Sequence, residues 1–137
     1  MGNTPLGGLG MMAAGKRKVV VLLGGTSNER DVSLVGGEAC AKALERLGHE
    51  VVRLDPKLAG YGMLFGRDDV VVFNGLHGVP GEDGAIQGLL ESLGLAYTHS
   101  GVNASSVAMN KQQTRILLSE AGLPVAKGMQ GSWAELT

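Results

Sequence analysis

Aromatic residues are scarce in this sequence, and neither sign of charge is in excess. Only 4% of the 137 residues are aromatic, which is too few for surfaces that stack on the bases of nucleic acids. The formal net charge is −1, so the chain offers no overall attraction to nucleic acid or to an anionic membrane. We therefore expect neither a nucleic-acid partner nor a membrane partner.

Cysteine and long apolar runs are also lacking. The single cysteine, Cys40, excludes a disulfide within one chain, and its position among alanines favours a small buried residue over a nucleophile. No apolar run approaches the length of a membrane-spanning helix. The charges near the amino terminus follow its weakly apolar part, which is the reverse of a secretory signal. We expect residues 1–17 to be a mobile leader and the protein to be cytoplasmic.

The sequence lacks the common motifs for nucleotide and metal binding. The turn at residues 24–31 has neither the G-x-G-x-x-G of dinucleotide-binding folds nor the terminal Gly-Lys-Ser/Thr of a P-loop. The three histidines are too dispersed to show metal-ligand spacing, so we expect no metal ligand in this chain. A response-regulator receiver is disfavoured as well, because Gly24 and Asn74 stand where that fold needs acids.

What the sequence contains is an alternation of strand and helix patterns in an ordinary globular composition, 44% hydrophobic and 18% charged. Apolar, mostly β-branched runs predict four short strands, at residues 19–23, 50–54, 70–73 and 95–98. The connections between them imply parallel pairing with right-handed crossovers. The predicted fold class is therefore α/β, with an open and mainly parallel Rossmann-like sheet of about four strands flanked by helices.

The spacing of apolar residues predicts three helices. The apolar face of the first helix has steps of three or four and consists of Val32, Val35, Ala39, Ala43 and Leu47. The second helix begins near Glu82 and Asp83, which we expect to be acids of its first turn. The third helix covers about residues 104–121. Residues 57–69 are interrupted by glycines, so we expect at most one helical turn there.

One stretch combines the features of a ligand-binding corner. Residues 76–88, LHGVPGEDGAIQG, join the carboxyl end of the third strand to a helix, which is where open parallel sheets bind ligands. His77 is a candidate contact because the neighbouring glycines let the backbone approach a ligand closely. Glu29 follows the first strand and either complements the dipole of the next helix or binds a ligand ammonium. Lys111 falls on a partly apolar helix face, where spacing alone favours a solvated lysine.

Three motifs together resemble the amino-terminal domain of D-alanine–D-alanine ligases. They are GGTSNERDVSL at 24–34, HGVPGEDGAIQG at 77–88 and SGVNASSVAMNK at 100–111, in this order and ahead of AGLPVAKG. The middle motif fits the family signature at each restricted position. The resemblance implies that residues 18–122 form the domain that precedes an ATP-grasp domain, and that residues 123–137 begin the ATP-grasp region. Two positions differ from the family's usual residues: Asn110 replaces Asp, and His99 replaces the commoner Gly.

The resemblance also implies an activity for the complete enzyme. ATP phosphorylates the carboxylate of one D-alanine, and the amine of a second D-alanine attacks the acyl phosphate, in the synthesis of peptidoglycan precursors. By this resemblance Glu29 holds the ammonium of the first D-alanine, His77 helps to place the same substrate, and Lys111 contacts an ATP phosphate. ATP and magnesium are implied for the full-length enzyme, whereas neither is expected to bind well to this chain alone. A homodimer is a further expectation.

The tail predicts that the sequence was cut from a longer one. Ser132 and Glu135 have the spacing of a capping box, yet the sequence ends two residues later, and one turn cannot nucleate a helix. We therefore expect a fragment that does not catalyse by itself. Two other interpretations stay open: a relative that joins D-alanine to D-lactate, and a short protein that serves as a non-catalytic interaction or dimerisation module.

Overall fold

The computed structural model describes residues 15–128 and 131. One sheet contains four parallel strands in the order β2-β1-β3-β4: β1 (Lys18–Leu22), β2 (Glu50–Leu54), β3 (Val70–Asn74) and β4 (Ala96–Tyr97). The helices are α1 (Arg30–Arg46), α2 (Pro56–Ala59), α3 (Ala85–Ser92), α4 (Val102–Met109) and α5 (Lys111–Glu120), with a 3₁₀ turn at Gly62–Leu64. The predicted α/β class and the parallel four-stranded sheet are confirmed.

Two predicted segments fall largely outside this description. Residues 1–14 of the predicted leader are not described, and neither is the predicted capping box at Ser132 and Glu135. Within the described ranges, no helix has both the length and the apolar character that crossing a membrane requires.

The sheet is buried on both faces around β1. One face directs Leu22 into a core with Leu90 of α3, and the other directs Val21 against Ala41 of α1. Successive residues of a strand point to opposite faces, so a strand that is covered on both sides is apolar throughout. This explains the uninterrupted apolar run that predicted β1.

The predicted apolar face of α1 is wrong. Val35 and Leu47 are about three-quarters exposed, at 75% and 74%, whereas the buried residues of the helix are Ser33, Gly37 and Ala41. The physical reason is a close approach to the sheet: a Cβ added at Gly37 would lie 2.5 Å from the Cβ of Leu23. Only small residues fit at such a contact, so the face of α1 with the larger valines points outward.

Two further differences concern helix starts. Residues 57–69 contain parts of two short helical turns, α2 and the 3₁₀ turn, where at most one turn is predicted. The first of them begins at Pro56, and the side chain of Asp55 caps it by accepting a hydrogen bond from the Lys57 N–H. Glu82 and Asp83 lie before α3, not in its first turn. The intervening Gly84 has a φ of 97°, outside the helical region, so the helix begins only at Ala85.

The single helix predicted over residues 104–121 is two helices. Asn110 separates α4 from α5 with an extended backbone (φ −96°, ψ 94°), and its side-chain oxygen accepts a hydrogen bond from the N–H of Gln113. Asn110 is therefore the N-cap of α5, which places Lys111 at the first position of that helix.

Candidate functional site

A crevice opens where the chain leaves β1 and β3. After β1 the chain passes through α1 to β2, whereas after β3 it passes through α3 to β4 on the other side and over the opposite face of the sheet. The loops at residues 23–29 and 75–84 therefore diverge at the carboxyl ends of adjacent strands. In open parallel sheets this switch point is where ligands bind.

Ser33 connects the two loops beneath this crevice. Its hydroxyl accepts a hydrogen bond from the Gly24 N–H at 2.9 Å and donates one to the Gly75 carbonyl at 2.6 Å. The side chain is completely buried, and both of its polar functions are satisfied. The serine thus sets the distance between the turn after β1 and the turn after β3.

An ion pair between Arg30 and Asp55 holds the turn after β1 against the end of β2. The guanidinium contacts both carboxylate oxygens, Nη1 to Oδ1 at 3.0 Å and Nη2 to Oδ2 at 2.6 Å, and Nη1 also donates to the Gly25 carbonyl at 2.8 Å. The Gly25 N–H in turn donates to Asp55 Oδ1. The hydrogen bonds from Arg30 hold the pKa of the Asp55 carboxyl below its ordinary value, although partial burial acts in the opposite direction.

Glu29 lies in the crevice, next to the glycine-rich corner after β3. A Cβ added at Gly78 would be 2.8 Å from Glu29 Oε2, so the carboxylate lies directly against this glycine. The side chain does not cap α1. Over residues 15–128, it forms no ion pair and no hydrogen bond, although its backbone N–H donates to Ser27 Oγ. The structure therefore places Glu29 beside the corner that contains His77.

The corner itself is held by two buried amides. Asn74 Nδ2 and Gln87 Nε2 donate to the same acceptor, the carbonyl of Gly81, at 2.8 and 3.1 Å. Asn74 Oδ1 also accepts the Leu76 N–H. These bonds fix the backbone on both sides of His77, whose half-buried ring has no hydrogen bond within the described part of the chain.

Lys111 lies in a different place. It is exposed at the start of α5 and lines an open pocket of about 950 Å³ together with Asn110, Arg115 and the backbone near Gly128. The residues that line this pocket include neither Glu29 nor His77. The structure therefore places Glu29 beside the corner that contains His77, and it places Lys111 in a pocket that neither of them lines.

Comparison with known proteins identifies the family. No family model matches the chain. A D-alanine–D-alanine ligase of Gluconobacter oxydans (strain 621H) is 61% identical over 114 residues, which are 81% of this chain and 38% of that protein. A D-alanine–D-alanine ligase of Caulobacter sp. (strain K31) is 56% identical over 110 residues, 80% of this chain and 34% of that protein. The chain belongs to the D-alanine–D-alanine ligase family.

Solved structures of the ligase family have the same fold. D-alanyl-alanine synthetase A of Vibrio cholerae matches with a TM-score of 0.73 and 26% identity, over 88% of this chain and 43% of that chain. A Bacillus anthracis ligase complexed with ATP matches with a TM-score of 0.66 and 26% identity, over 88% of this chain and 44% of that chain. The chain thus spans less than half the length of each of these four ligases, which agrees with the amino-terminal domain that the sequence motifs indicate.

Five residues that hold the crevice in shape were not predicted from the sequence, and three of them lie in the ligase motifs. Arg30 and Ser33 lie in the first motif, and Gln87 lies in the middle motif, whereas Asn74 and Asp55 lie outside the motifs. A polar residue at the end of a strand is a weak signal that it faces the crevice, and this applies to Asn74 and Asp55. Nothing in the sequence indicated that Ser33 is buried.

Proposed function

We propose that this chain supplies part of the first-substrate site of an ATP-dependent D-alanine–D-alanine ligase. The observation that carries the proposal is the position of Glu29, whose carboxylate lies against Gly78 at the switch point of the sheet without a cation partner in residues 15–128. A carboxylate in this setting attracts an ammonium group. The family's reaction requires such a group on its first substrate.

In this proposal three side chains have separate tasks. Glu29 binds the ammonium of the first D-alanine, and His77, on a corner that Asn74 and Gln87 hold in place, orients the same molecule. Lys111 binds a phosphate of ATP: its ammonium is exposed at the first position of α5, and a helix N-terminus favours anions. ATP supplies the phosphoryl group that activates the substrate carboxylate. We propose that magnesium is held by other parts of the complete enzyme, because the described residues contain no cluster of three ligand side chains.

A homodimer is a second proposal. Val32 and Val35 at the start of α1 are 59% and 75% exposed, and Leu47 at its C-cap is 74% exposed; exposed apolar surface is typical of contacts between proteins. Light scattering of the protein and of its Val35→Asp variant would test this. Equal masses for the two, both corresponding to a monomer, would contradict it. A cytoplasmic location and a role in peptidoglycan synthesis stay predictions from the sequence.

The ligase proposal is tested in a chimera, in which this chain replaces the matched segment of the Gluconobacter oxydans ligase, 61% identical over 114 residues. The chimera should release phosphate from ATP when D-alanine is added, and the 137-residue chain alone should not. If D-alanine and D-lactate are offered together, dipeptide is the expected product. Formation of the ester would favour the alternative of a D-alanine–D-lactate ligase.

Glu29→Gln in the chimera tests the central residue. The variant keeps the shape and removes the charge, so we expect kcat/KM for D-alanine to fall by a factor that corresponds to about 2 to 5 kcal/mol, the cost of losing one partner of a charge pair that is buried once the substrate is bound. Asp31→Asn is the matched control, because Asp31 is the exposed acid in the first turn of α1. If Glu29→Gln and Asp31→Asn both lower the melting temperature but leave the kinetics normal, Glu29 only complements the helix dipole.

A further inference from the structure

Glu29 and Arg30 are adjacent in the sequence, yet their side chains lie on opposite sides of the turn after β1. Glu29 Oε2 lies beside Gly78, next to β3. Arg30 extends to the other side, where both Nη atoms contact the carboxylate of Asp55 at the end of β2. The nearest cation along the chain is therefore not paired with the carboxylate that faces the crevice.

We propose that Asp55 is a positioning residue for the first-substrate site, because it holds Arg30 away from Glu29 and so leaves Glu29 available to bind an ammonium. This inference rests on the proposed function of Glu29. Without Asp55, the guanidinium of the adjacent residue would be a mobile cation and would compete with the substrate for the carboxylate of Glu29. Asp55 therefore acts on binding of the substrate through Arg30, without touching the substrate.

The geometry favours Asp55 strongly as the partner of Arg30. The pair is bidentate, and its side chains are only 22% and 10% exposed, whereas Glu29 is exposed. Charge-assisted bidentate contacts are stronger than single ones, and exposed ion pairs contribute little. The guanidinium also donates to the Gly25 carbonyl, so three hydrogen bonds hold it.

Glycine at position 24 is part of this arrangement. A Cβ added at Gly24 would lie 2.7 Å from both Arg30 Nη1 and Asp55 Oδ2, so a side chain there would displace the pair. The Gly25 N–H donates to Asp55 Oδ1 at 3.1 Å, as does the Lys57 N–H at 3.0 Å. Two backbone N–H groups thus hold the Asp55 carboxylate independently of Arg30, which makes the carboxylate a preorganised acceptor for the guanidinium.

The test is a rescue experiment in the chimera. Asp55→Asn keeps Oδ1 as an acceptor for the two backbone N–H groups but removes the negative charge and replaces Oδ2 with an amide NH₂ group. Arg30 then loses its ion pair and the contact of Nη2, and only uncharged acceptors hold Nη1. We expect the KM for D-alanine at the first site to rise about two- to fivefold, because an exposed ion pair between Arg30 and Glu29 would be worth up to about 1 kcal/mol, while kcat changes less. The double variant Asp55→Asn/Arg30→Gln has no competing cation, and it should recover most of the lost affinity.

A purely structural role of the ion pair predicts the opposite result. The double variant would then be at least as defective as Asp55→Asn, and that outcome overturns the inference. Arg30→Gln alone provides an independent measurement if Asp55→Asn does not fold: it should raise KM less than the loss of Asp55 or Glu29 does, and an increase as large as that of Glu29→Gln also overturns the inference. Asp69→Asn is the control, because it also removes the carboxylate of an ion pair, here with Lys18, but at the amino ends of the strands and away from the crevice.

The proposed role of Glu29 and the proposed role of Asp55 can be contradicted separately. Normal KM in Glu29→Gln contradicts the proposed function itself. Raised KM in Glu29→Gln together with normal KM in Asp55→Asn contradicts only the role of Asp55. The melting temperature of each variant, measured without substrate, shows whether a change in kinetics comes from loss of folded protein or from a change at the site.

Discussion

At the end of β4, His99 has a φ of 89°, a region of backbone conformation that residues with a Cβ rarely adopt. Its ring lies edge-on to Phe73, with 6.5 Å between the ring centroids, and Nδ1 lies 2.9 Å from the Thr98 carbonyl oxygen. Glycine, which the ligase family commonly has at this position, adopts this φ without strain. The histidine is therefore a local source of strain on the carboxyl edge of the sheet.

We predict that His99→Gly raises the free energy of unfolding by roughly 0.5 to 1 kcal/mol. Relief of strain of about 1 to 3 kcal/mol exceeds the larger conformational entropy of glycine in the unfolded chain, about 0.4 to 1 kcal/mol, and the loss of weak ring contacts. Urea unfolding of the 137-residue chain measures the difference. His99→Ala is the control, because it keeps the strain and loses the ring; equal destabilisation by both variants would show that the ring contacts dominate.

That Glu29 and His77 follow neighbouring strands could be predicted from the sequence, whereas the ion pair beside Glu29 could not. Both residues follow an apolar run and lie near glycines, which is a local pattern. The contact between Arg30 and Asp55 joins residues 25 positions apart, and it depends on β2 lying next to β1 in one register. Such a pairing is a property of the folded sheet, so no local pattern of residues indicates it.

The spacing of apolar residues in α1 predicts the position of the helix correctly but predicts its buried face wrongly. Apolar residues at steps of three or four indicate a helix, and they are assumed to face the core. Here the helix approaches the sheet so closely that Gly37 meets Leu23, and the buried positions have small residues. At this distance steric fit determines which face is buried.

Two adjacent glycines in α1 provide a direct test. Gly36→Ala should stabilise the protein by about 0.5 to 1 kcal/mol, because nothing lies within 4 Å of the added Cβ. Gly37→Ala has the same gain in helix propensity, but its Cβ would be 2.5 Å from that of Leu23, so we expect a net loss of about 1 to 3 kcal/mol from overpacking. Thermal unfolding of both variants measures this. Equal stabilisation by the two would show that α1 can shift away from the sheet.

The break between α4 and α5 illustrates a second limit. The residues on both sides of Asn110 are compatible with one continuous helix, and a single capping side chain determines where the second helix begins. Asp and Asn are equally good N-caps, so the change from the family's usual Asp at this position preserves the capping function.

For the whole molecule, the order of strands and helices determined the class of fold, and the sequence contained that information. Strands separated by helices allow few arrangements, since crossovers between parallel strands are right-handed. The separation between the crevice and the pocket at Lys111 was not predictable in the same way. Lys111 lines its pocket together with residues of α4, of α5 and of the segment after α5, and this packing of α4 and α5 is a tertiary feature.

Because the two sites are separate in this chain, their variants should affect different substrates. Lys111 lies at the first position of α5, where a cation is unfavourable with the helix dipole, so Lys111→Met should leave the melting temperature without nucleotide unchanged or slightly higher. In the chimera we expect kcat/KM for ATP to fall by a factor that corresponds to about 1.5 to 3 kcal/mol, the contribution of a hydrogen bond to a charged group. The KM for D-alanine should change less. Glu29→Gln should lower kcat/KM for D-alanine and should change the kinetics with ATP less. Unaltered ATP kinetics in Lys111→Met would make Lys111 a solvated helix residue and leave Glu29 and His77 as the candidate site residues.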